Sequence, residues 1–571
     1  MDTTKTKIKN KKYKNLMPNT NSSTIKVQKR DGRLEDLDIN KIHFVVEEAC
    51  EGLAGVSSSQ IEMNANIQFY DGMTTKDIQN VLVRSANDLI SLDTPNYQYA
   101  AARLLSYDVR KEAHGQYEYI PLLKLILRNI RSGVYDKAIL DKYTKTEIKK
   151  FNTWIKRERD LKFTYAGLRQ ICDKYLVQDR SSGQIYETPQ DMYMMIAATL
   201  FADYPAKTRM SYVKKYYDAI SQHKINIPTP VMAGVRTPIR QFASCVLVDS
   251  DDTLPSIFSS DMAIGLYVAR RAGIPFLKKF ESTVRCCTQN GVRGGNATVH
   301  FPIWHPEIED ILVLKNNKGT EDNRVRRMDY SIQISKLFYE RFMNEEDITL
   351  ISPHLAPGLL KERAETGRIY IMNLDHCNSH SSFKDKVSMS NLCQEITLPT
   401  TPIQDIHDEQ GEIALCILSA VNVGALNDLS ELENICDLSV RALEQIIDYQ
   451  DYPVRAAEVS TKKRRSLGIG YIGLAHYLAK NGVKYSDPKA WELVDRLSEA
   501  FQYHLLRSSC NIAIEKGKCE GFERTKYADG LLPIDHYKKD VDEIVPHKQR
   551  MAWESLRKDI AKYGLRHSTL S

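Results

Sequence analysis

The sequence predicts an α/β fold over its C-terminal half, behind a helical segment and a small mixed unit, and three observations carry that prediction. Beyond Pro228-Thr229-Pro230, short apolar runs at residues 245–248, 298–301, 370–373, 395–398 and 412–418 alternate with helical stretches, the texture of an α/β sheet or barrel. Between residues 121 and 222 the pattern is mostly helical, as at 191–201 and 211–220. Ahead of both, Asp31-Gly32 separates the extended runs 24–29 and 33–37, and that dipeptide suits the positive φ angles of a tight hairpin turn.

Taken in order, residues 1–23 form a Lys-, Asn- and Thr-rich tail. The hairpin follows, and then Asn40 is placed to cap a helix whose apolar residues Ile42, Val45, Val46, Ala49 and Leu53 recur at helical spacing. Helical patterns at 75–89 and 97–112 close a unit spanning 24–115. Residues 116–225 read as a helical scaffold and 226–571 as the α/β region.

Composition narrows the function. A chain of 571 residues, 42% hydrophobic and 27% charged, has the balance of a folded protein. No apolar run approaches the ~18–20 residues that a membrane span needs, and the start does not resemble a signal peptide. The net charge is +6, yet residues 1–30 hold nine basic residues against one acid. The excess therefore lies in a solvated, disordered arm rather than on a nucleic-acid-binding face. Eleven cysteines, an odd number with no C-x-x-C pair, argue against a disulfide framework and a zinc ribbon. A cytoplasmic protein is expected, in which any disulfide is transient and catalytic.

The most informative stretch is Ser390-Asn391-Leu392-Cys393-Gln394-Glu395-Ile396. In an extended backbone, residues 391, 393 and 395 share a face, so an amide, a thiol and a carboxylate point the same way. That set suits abstraction and transfer of hydrogen; the alternative is a small buried cysteine at a polar turn. Cys245 and Cys416 lie in apolar, strand-like segments and are either inert core thiols or, where the strands converge, a redox pair. Residues 289–296, rich in Gly with Arg293, are either a loop that lets backbone approach a nucleotide or a flexible turn. Gly468-x-Gly470-x-x-Gly473 matches a dinucleotide fingerprint, but Thr461-Lys462-Lys463-Arg464-Arg465-Ser466 precedes it instead of a hydrophobic strand, so a tight strand-to-helix junction is expected. His376-Cys377-Asn378-Ser379-His380 has metal-ligating residue types without a second cluster, and reads as a polar loop holding no metal.

Together these stretches resemble the large, catalytic subunit of class I ribonucleotide reductase. Val27-x-Lys29-Arg30-Asp31-Gly32 resembles the start of that family's ATP-cone, and Pro228-Thr229-Pro230-Val231-Met232-x-Gly234-Val235-Arg236-Thr237 its first barrel strand. Asn391-Leu392-Cys393-x-Glu395, the stretch from Leu314-Lys315-Asn316-Asn317 to Asp322-Asn323, and Asp448-Tyr449-Gln450-Asp451-Tyr452-Pro453 agree as well. The resemblance implies a ten-stranded α/β barrel behind a helical domain and an ATP-cone. It implies reduction of ribonucleoside diphosphates, with Cys393 as the thiyl radical, Glu395 as the base at the 3′ hydroxyl, Asn391 orienting the substrate, and Cys245 with Cys416 ending as a disulfide. Thr229, Ser244 and Gly273 would line the substrate pocket, Asp252, Leu254 and Arg293 would read a specificity effector, and Lys29, Arg30, Glu35, Lys41, Thr75 and Lys111 would meet ATP or a dNTP. The implied partners are a small subunit carrying the metal-radical cofactor and an external thiol reductant, thioredoxin or glutaredoxin; no cofactor is bound covalently in this chain.

The sequence also departs from the family. It ends at Ser571, where the family continues into a loop for the substrate phosphate, a tyrosine pair that passes the radical, and C-terminal cysteines. The effector loop is shortened at Gly273-Ile274-Pro275-Phe276, a helical segment is missing after Leu359-Leu360, and Gln79 stands where many relatives have His. These departures lead to the expectation of a split or truncated large subunit, with the barrel incomplete at its C-terminus and a second chain supplying the missing part. The alternative is an inactive nucleotide-binding remnant or regulatory module, self-associating through the helix around residues 257–272.

Overall fold

The computed structural model describes residues 25–66, 68–269, 281–284, 295–315, 324–348, 355–367, 369–536, 543 and 548–570. The tail at 1–23, Gly273, Arg293 and the polar stretch 316–323 lie outside the described residues. The chain divides into two compact units, one holding the described residues up to Tyr117 with Asp160–Gln170, the other Glu118–Arg159 with Ile171 onward.

In the first unit β1 (Lys26–Gln28) pairs antiparallel with β2 (Leu34–Asp36) and parallel with β3 (Met73–Thr74). The hairpin is present, but only Gly32 takes a positive φ, +88°; Gly32 N–H donates to the Lys29 carbonyl and Lys29 N–H to that of Arg33. That is a three-residue loop with a glycine bulge rather than a two-residue primed turn, so Asp31 avoids the left-handed region. The helix α1 (Ile39–Cys50) is capped by Asp38, whose Oδ1 accepts from Asn40 N–H at 3.1 Å. This corrects the expectation for Asn40, which already lies inside the helix. After α2 (Ser58–Asn66), Thr74 caps α3 (Thr75–Asp88) through Asp77 N–H, and Gly115, with φ +72°, ends α4 (Tyr97–His114).

The second unit opens with helices, among them α5 (Leu122–Arg131), α6 (Lys145–Trp154), the buried α7 (Pro189–Leu200) and α8 (Ala206–Ser221). The segment expected as a first barrel strand is instead the short helix α9 (Thr229–Gly234), and the strand β4 (Ile225–Asn226) precedes it. Pro230 in the first helical turn lacks the N–H that a ladder needs and has the φ a helix wants. Arg236, fully buried, fixes the end of this segment by donating to both oxygens of Glu187 at 2.9 and 3.0 Å.

Two sheets follow. β6 (Thr298–Pro302), β7 (Asp329–Ile334) and β8 (Ile369–Asn373) form a parallel sheet in that order. β9 (Ala414–Asn422) is flanked by parallel β10 (Leu467–Ile472) and antiparallel β4, and also pairs antiparallel with β5 (Cys245–Leu247). The α/β texture is therefore real, while among the described residues the strands form small separate sheets and no closed barrel. Residues 395–398 are not a strand; a lone bridge joins Ser390 to Thr397. A buried apolar cluster, including Val246, Tyr267, Val299, Tyr330 and Leu415, fills the space between β5, β9 and the parallel sheet.

A buried charge knot holds the last described residues. Glu444, on the helix Leu432–Tyr449, accepts from Arg465 Nε at 2.8 Å, Arg566 Nε at 2.9 Å and His567 Nε2 at 3.0 Å. Burial opposes its ionisation, but the bonds from His567 and Arg465 prevail and hold its carboxyl well below the usual range. The segment so anchored accepts from β10 through the Thr569 and Leu570 carbonyls, at 3.1 and 3.0 Å. Glu444→Ala strands the Arg465 and Arg566 guanidinium groups in a dry site and is expected to cost about 3–5 kcal/mol. A chemical denaturation midpoint equal to that of the wild type would refute this account of the knot.

Candidate active site and nucleotide site

The candidate active site is built where β5 meets β9. Cys245 stands opposite Cys416 in the antiparallel register. Opposed residues point to the same face with Cα atoms about 4.5–5.5 Å apart, a separation that a disulfide spans. Both are reduced thiols. Room for the second comes from Gly468 on β10, where a Cβ would fall 2.8 Å from Cys416 Sγ and 2.4 Å from Leu418 Cδ2. Gly468 of the apparent fingerprint thus serves strand packing, and Gly473, with φ +78°, turns the chain into the helix Leu474–Lys480, the expected junction. Burial pushes the Cys245 thiol up to about 12, and burial with the neighbouring Cys245 and Glu395 pushes Cys416 up as well. At neutral pH both are S–H groups, able to give hydrogen rather than act as thiolates.

The segment 390–397 is a turn, not the extended strand whose alternation was expected to align residues 391, 393 and 395. Asn391 closes it: its Oδ1 accepts from Ile396 N–H at 2.9 Å, while Ser390 Oγ donates to the Ile396 carbonyl at 2.6 Å and Gln394 N–H to the Asn391 carbonyl at 3.1 Å. An Asn side chain that bonds nearby backbone competes with a strand ladder and wins here. Gln394 takes φ +65° at the bend. The turn still gathers the predicted groups. Asn391 Nδ2 donates to Cys245 Sγ at 3.2 Å, and Glu395 Oε1 lies 3.9 Å from the same sulfur, which donates to it. Cys393 is exposed and near enough to Cys245 to act on its ionisation.

The parallel sheet supports the turn from behind. Thr298 Oγ1 donates to the Leu392 carbonyl at 3.2 Å, and Ser331 Oγ to Gln394 Oε1 at 3.3 Å. Thr298 and Ser331 belong to no motif that singles them out in the sequence, and Gly468 stands out there for a different reason; only the strand register reveals their role. Beside the turn opens a cavity of about 710 Å³, lined by Ser390, Gln394, Ile396 and Cys416 and, across it, by His376, His380 and Lys526. The two histidines lie on the short helix Leu374–His380 rather than in a polar loop.

The other predicted residues are placed as follows. Ser244 Oγ is buried next to Cys245, whose ionisation it favours. Thr229 heads α9 with its Oγ1 3.5 Å from the Tyr175 hydroxyl. Asp252 and Leu254 are exposed at the start of the helix Leu254–Ala269, Leu254 at 68%.

In the first unit a cavity of about 370 Å³ is lined by Lys29, Arg30, Glu35, Lys41, Thr75 and Lys111 together. Arg30 pairs with Asp108, and Lys29 with Glu35 at 3.6 Å. Burial and then the Arg30 charge lower the pKa of Lys111, the mark of crowded cations that an anion would relieve. Gln79 lines the same cavity, its Nε2 donating to the Leu104 carbonyl at 2.9 Å.

Family models match along the chain: an ATP cone domain over residues 25–112, the ribonucleotide reductase all-alpha domain over 161–240, and the ribonucleotide reductase barrel domain over 274–359 and 354–571. The chain is 48% identical to the ribonucleoside-diphosphate reductase subunit alpha of Haemophilus influenzae, over 96% of this chain and 82% of that one. The chain belongs to the class I ribonucleotide reductase large subunits. The Escherichia coli ribonucleoside-diphosphate reductase 1 subunit alpha is 47% identical over 95% of this chain and 80% of its own, and the phage T4 subunit alpha 39% identical over 96% and 81%. The ATP cone match covers the residues that line the cavity of the first unit, and the barrel match covers Asn391, Cys393, Glu395 and Cys416. No helix among the described residues is long and apolar enough to cross a membrane.

Mild oxidation is expected to join Cys245 to Cys416, seen as a linked peptide pair under non-reducing mass spectrometry. At pH 8 iodoacetamide is expected to label exposed Cys393 before either of them. Cross-linking of Cys393 to Cys416 in preference, or first labelling at Cys245, would contradict the geometry.

Proposed function

We propose that the chain reduces ribonucleoside diphosphates to deoxyribonucleoside diphosphates, as its relatives' names state of them. The observation that supports this most is the opposed Cys245–Cys416 pair with Asn391 and Glu395 against one of its sulfurs. In this reading Cys393, as a thiyl radical, takes the 3′ hydrogen and later returns it, while Glu395 accepts the 3′ hydroxyl proton and Asn391 orients the substrate. The 2′ C–O bond breaks and the oxygen leaves as water. Carbon 2′ gains hydrogen, and the two thiols, losing two hydrogens in all, become one disulfide. Their high pKa values suit this role, because each must arrive as S–H. The disulfide is then reset by exchange with an external dithiol such as thioredoxin or glutaredoxin.

The small subunit's metal-radical cofactor supplies the oxidising equivalent that makes Cys393 a radical. Ser244, beside Cys245, and Thr229 and Gly273 bind substrate, and strands β4–β10 belong to a ten-stranded barrel. The exposed helix Leu254–Ala269, which carries Leu254, Phe258 and Met262 on one side, serves self-association, with Asp252, Leu254 and Arg293 reading a specificity effector there. The cone cavity takes ATP or a dNTP, whose phosphates suit Lys29, Arg30, Lys41 and Lys111.

The test is CDP reduction by the chain with a small subunit, alone and supplemented with the unmatched part of the Haemophilus influenzae subunit. Cys393→Ser is expected to remove turnover, and surviving turnover would defeat the radical assignment. Lys29→Ala is expected to weaken ATP binding about tenfold, roughly 1.4 kcal/mol, without abolishing reduction. Unchanged ATP affinity, read by calorimetry, would remove Lys29 from the site.

A further inference from the structure

Cys393 and Glu395 flank a residue in an uncommon conformation. Gln394 sits at φ +65°, a left-handed backbone that costs a non-glycine residue of order 1 kcal/mol and persists only where surroundings impose it. Beside the Asn391 closure of the turn, polar groups of the parallel sheet meet the Gln394 side chain. The Gln394 Oε1 accepts from Ser331 Oγ at 3.3 Å, and its Nε2 lies 3.4 Å from the Asn391 carbonyl and 3.5 Å from His300 Nε2. Ser331 and His300 are register partners on β7 and β6, so they stand side by side beneath the turn. Ser331 is fully buried. Burial lowers the pKa of His300 to about 4, leaving a neutral ring whose Nε2 faces the Gln394 amide.

We propose that Gln394, clamped by Ser331 and His300, is a positioning residue that fixes where Cys393 and Glu395 stand relative to Cys245. The hydrogen bonds of the side chain go to Ser331, His300 and the Asn391 carbonyl. It acts through the backbone: the left-handed bend at 394 turns Glu395 back toward Cys245 while Cys393 remains on the exposed side. An apolar residue of the same size fills the space but leaves the Ser331 hydroxyl without this partner, and the bend is then held only by the turn's internal bonds through Asn391 and Ser390.

The proposal rests on the reading of Cys393 as the radical-bearing residue, and the two are separable. Gln394→Gly accepts the left-handed backbone without strain and removes the clamp, whereas Gln394→Leu keeps the bulk. With the small subunit present, each is expected to lower kcat for CDP by about 10- to 100-fold and to leave KM within about twofold. Ser331→Ala lowers kcat in the same direction and adds little to Gln394→Leu, as residues sharing one contact do. In the chain alone, amide hydrogen exchange at residues 390–397 is expected to be faster in Gln394→Leu than in wild type. Wild-type kcat in Gln394→Gly, a rise in KM at constant kcat, or additive losses in the double variant overturns the positioning role. Unchanged exchange in Gln394→Leu overturns the clamp itself. Absence of turnover in the wild type tells against the radical reading, and exchange then decides the clamp independently.

Discussion

The register between β5 and β9 is the constraint on which the site depends. Side chains alternate along a strand, so a slip of one residue would send Cys245 to the opposite face from Cys416. The register is held by burial on both sides: Val246 and Leu415 pack into the larger apolar cluster, while Leu247, Ala414 and Cys416 pack with Ile396 and Leu398 below the turn. A slipped strand would exchange these two sets and expose one of them. Placement of the two sulfurs is therefore a by-product of core packing, and needs no strain of its own.

Dryness at this pair and openness at Cys393 follow from the same construction. Cys416 is walled in by Leu418 and by the Cβ-free backbone of Gly468. Cys245 is half-buried and takes a hydrogen bond from Asn391, which partly offsets the burial that raises its pKa. Cys393 faces outward on the turn. Three thiols thus stand in three environments within a short distance, which fits a division of labour: two held protonated as reductants, one accessible to an oxidant from outside.

The sequence shows the first unit more clearly than the second, for a physical reason. The hairpin around Gly32, the Thr74 cap and the terminating Gly115 are local devices, each legible within a few residues. Where the reading erred there, it erred by a residue or two, as with Asp38 for Asn40. In the second unit the residue types at 245, 391, 393, 395 and 416 are informative, but the bonds joining them span 146 and 150 residues, and no periodicity encodes such contacts. The strand at Asp329–Ile334 carries no turn signal, and Leu467–Ile472 is hidden by glycines that look like a nucleotide fingerprint. The turn at 390–397 is hidden because its backbone geometry is decided by the Asn391 side chain, a tertiary and local compromise that β-propensity does not weigh.

That turn belongs to neither sheet, and this accounts for its importance. On one side it is bonded to Thr298 and Ser331 of the parallel sheet; on the other it meets Cys245 of β5 through Asn391 and Glu395. The two sheets share no ladder among the described residues, so their relative position at the site is transmitted through these side chains and the apolar cluster between them. A displacement of β6 and β7 must either stretch the contacts to Thr298 and Ser331 or carry the turn with it. Hydrogen bonds weaken steeply with distance whereas the turn's own closure is short and internal, so the turn moves as a body. The geometry of the thiols relative to the carboxylate is then set by sheet-to-sheet packing, which makes core residues remote from any sulfur part of what tunes the site.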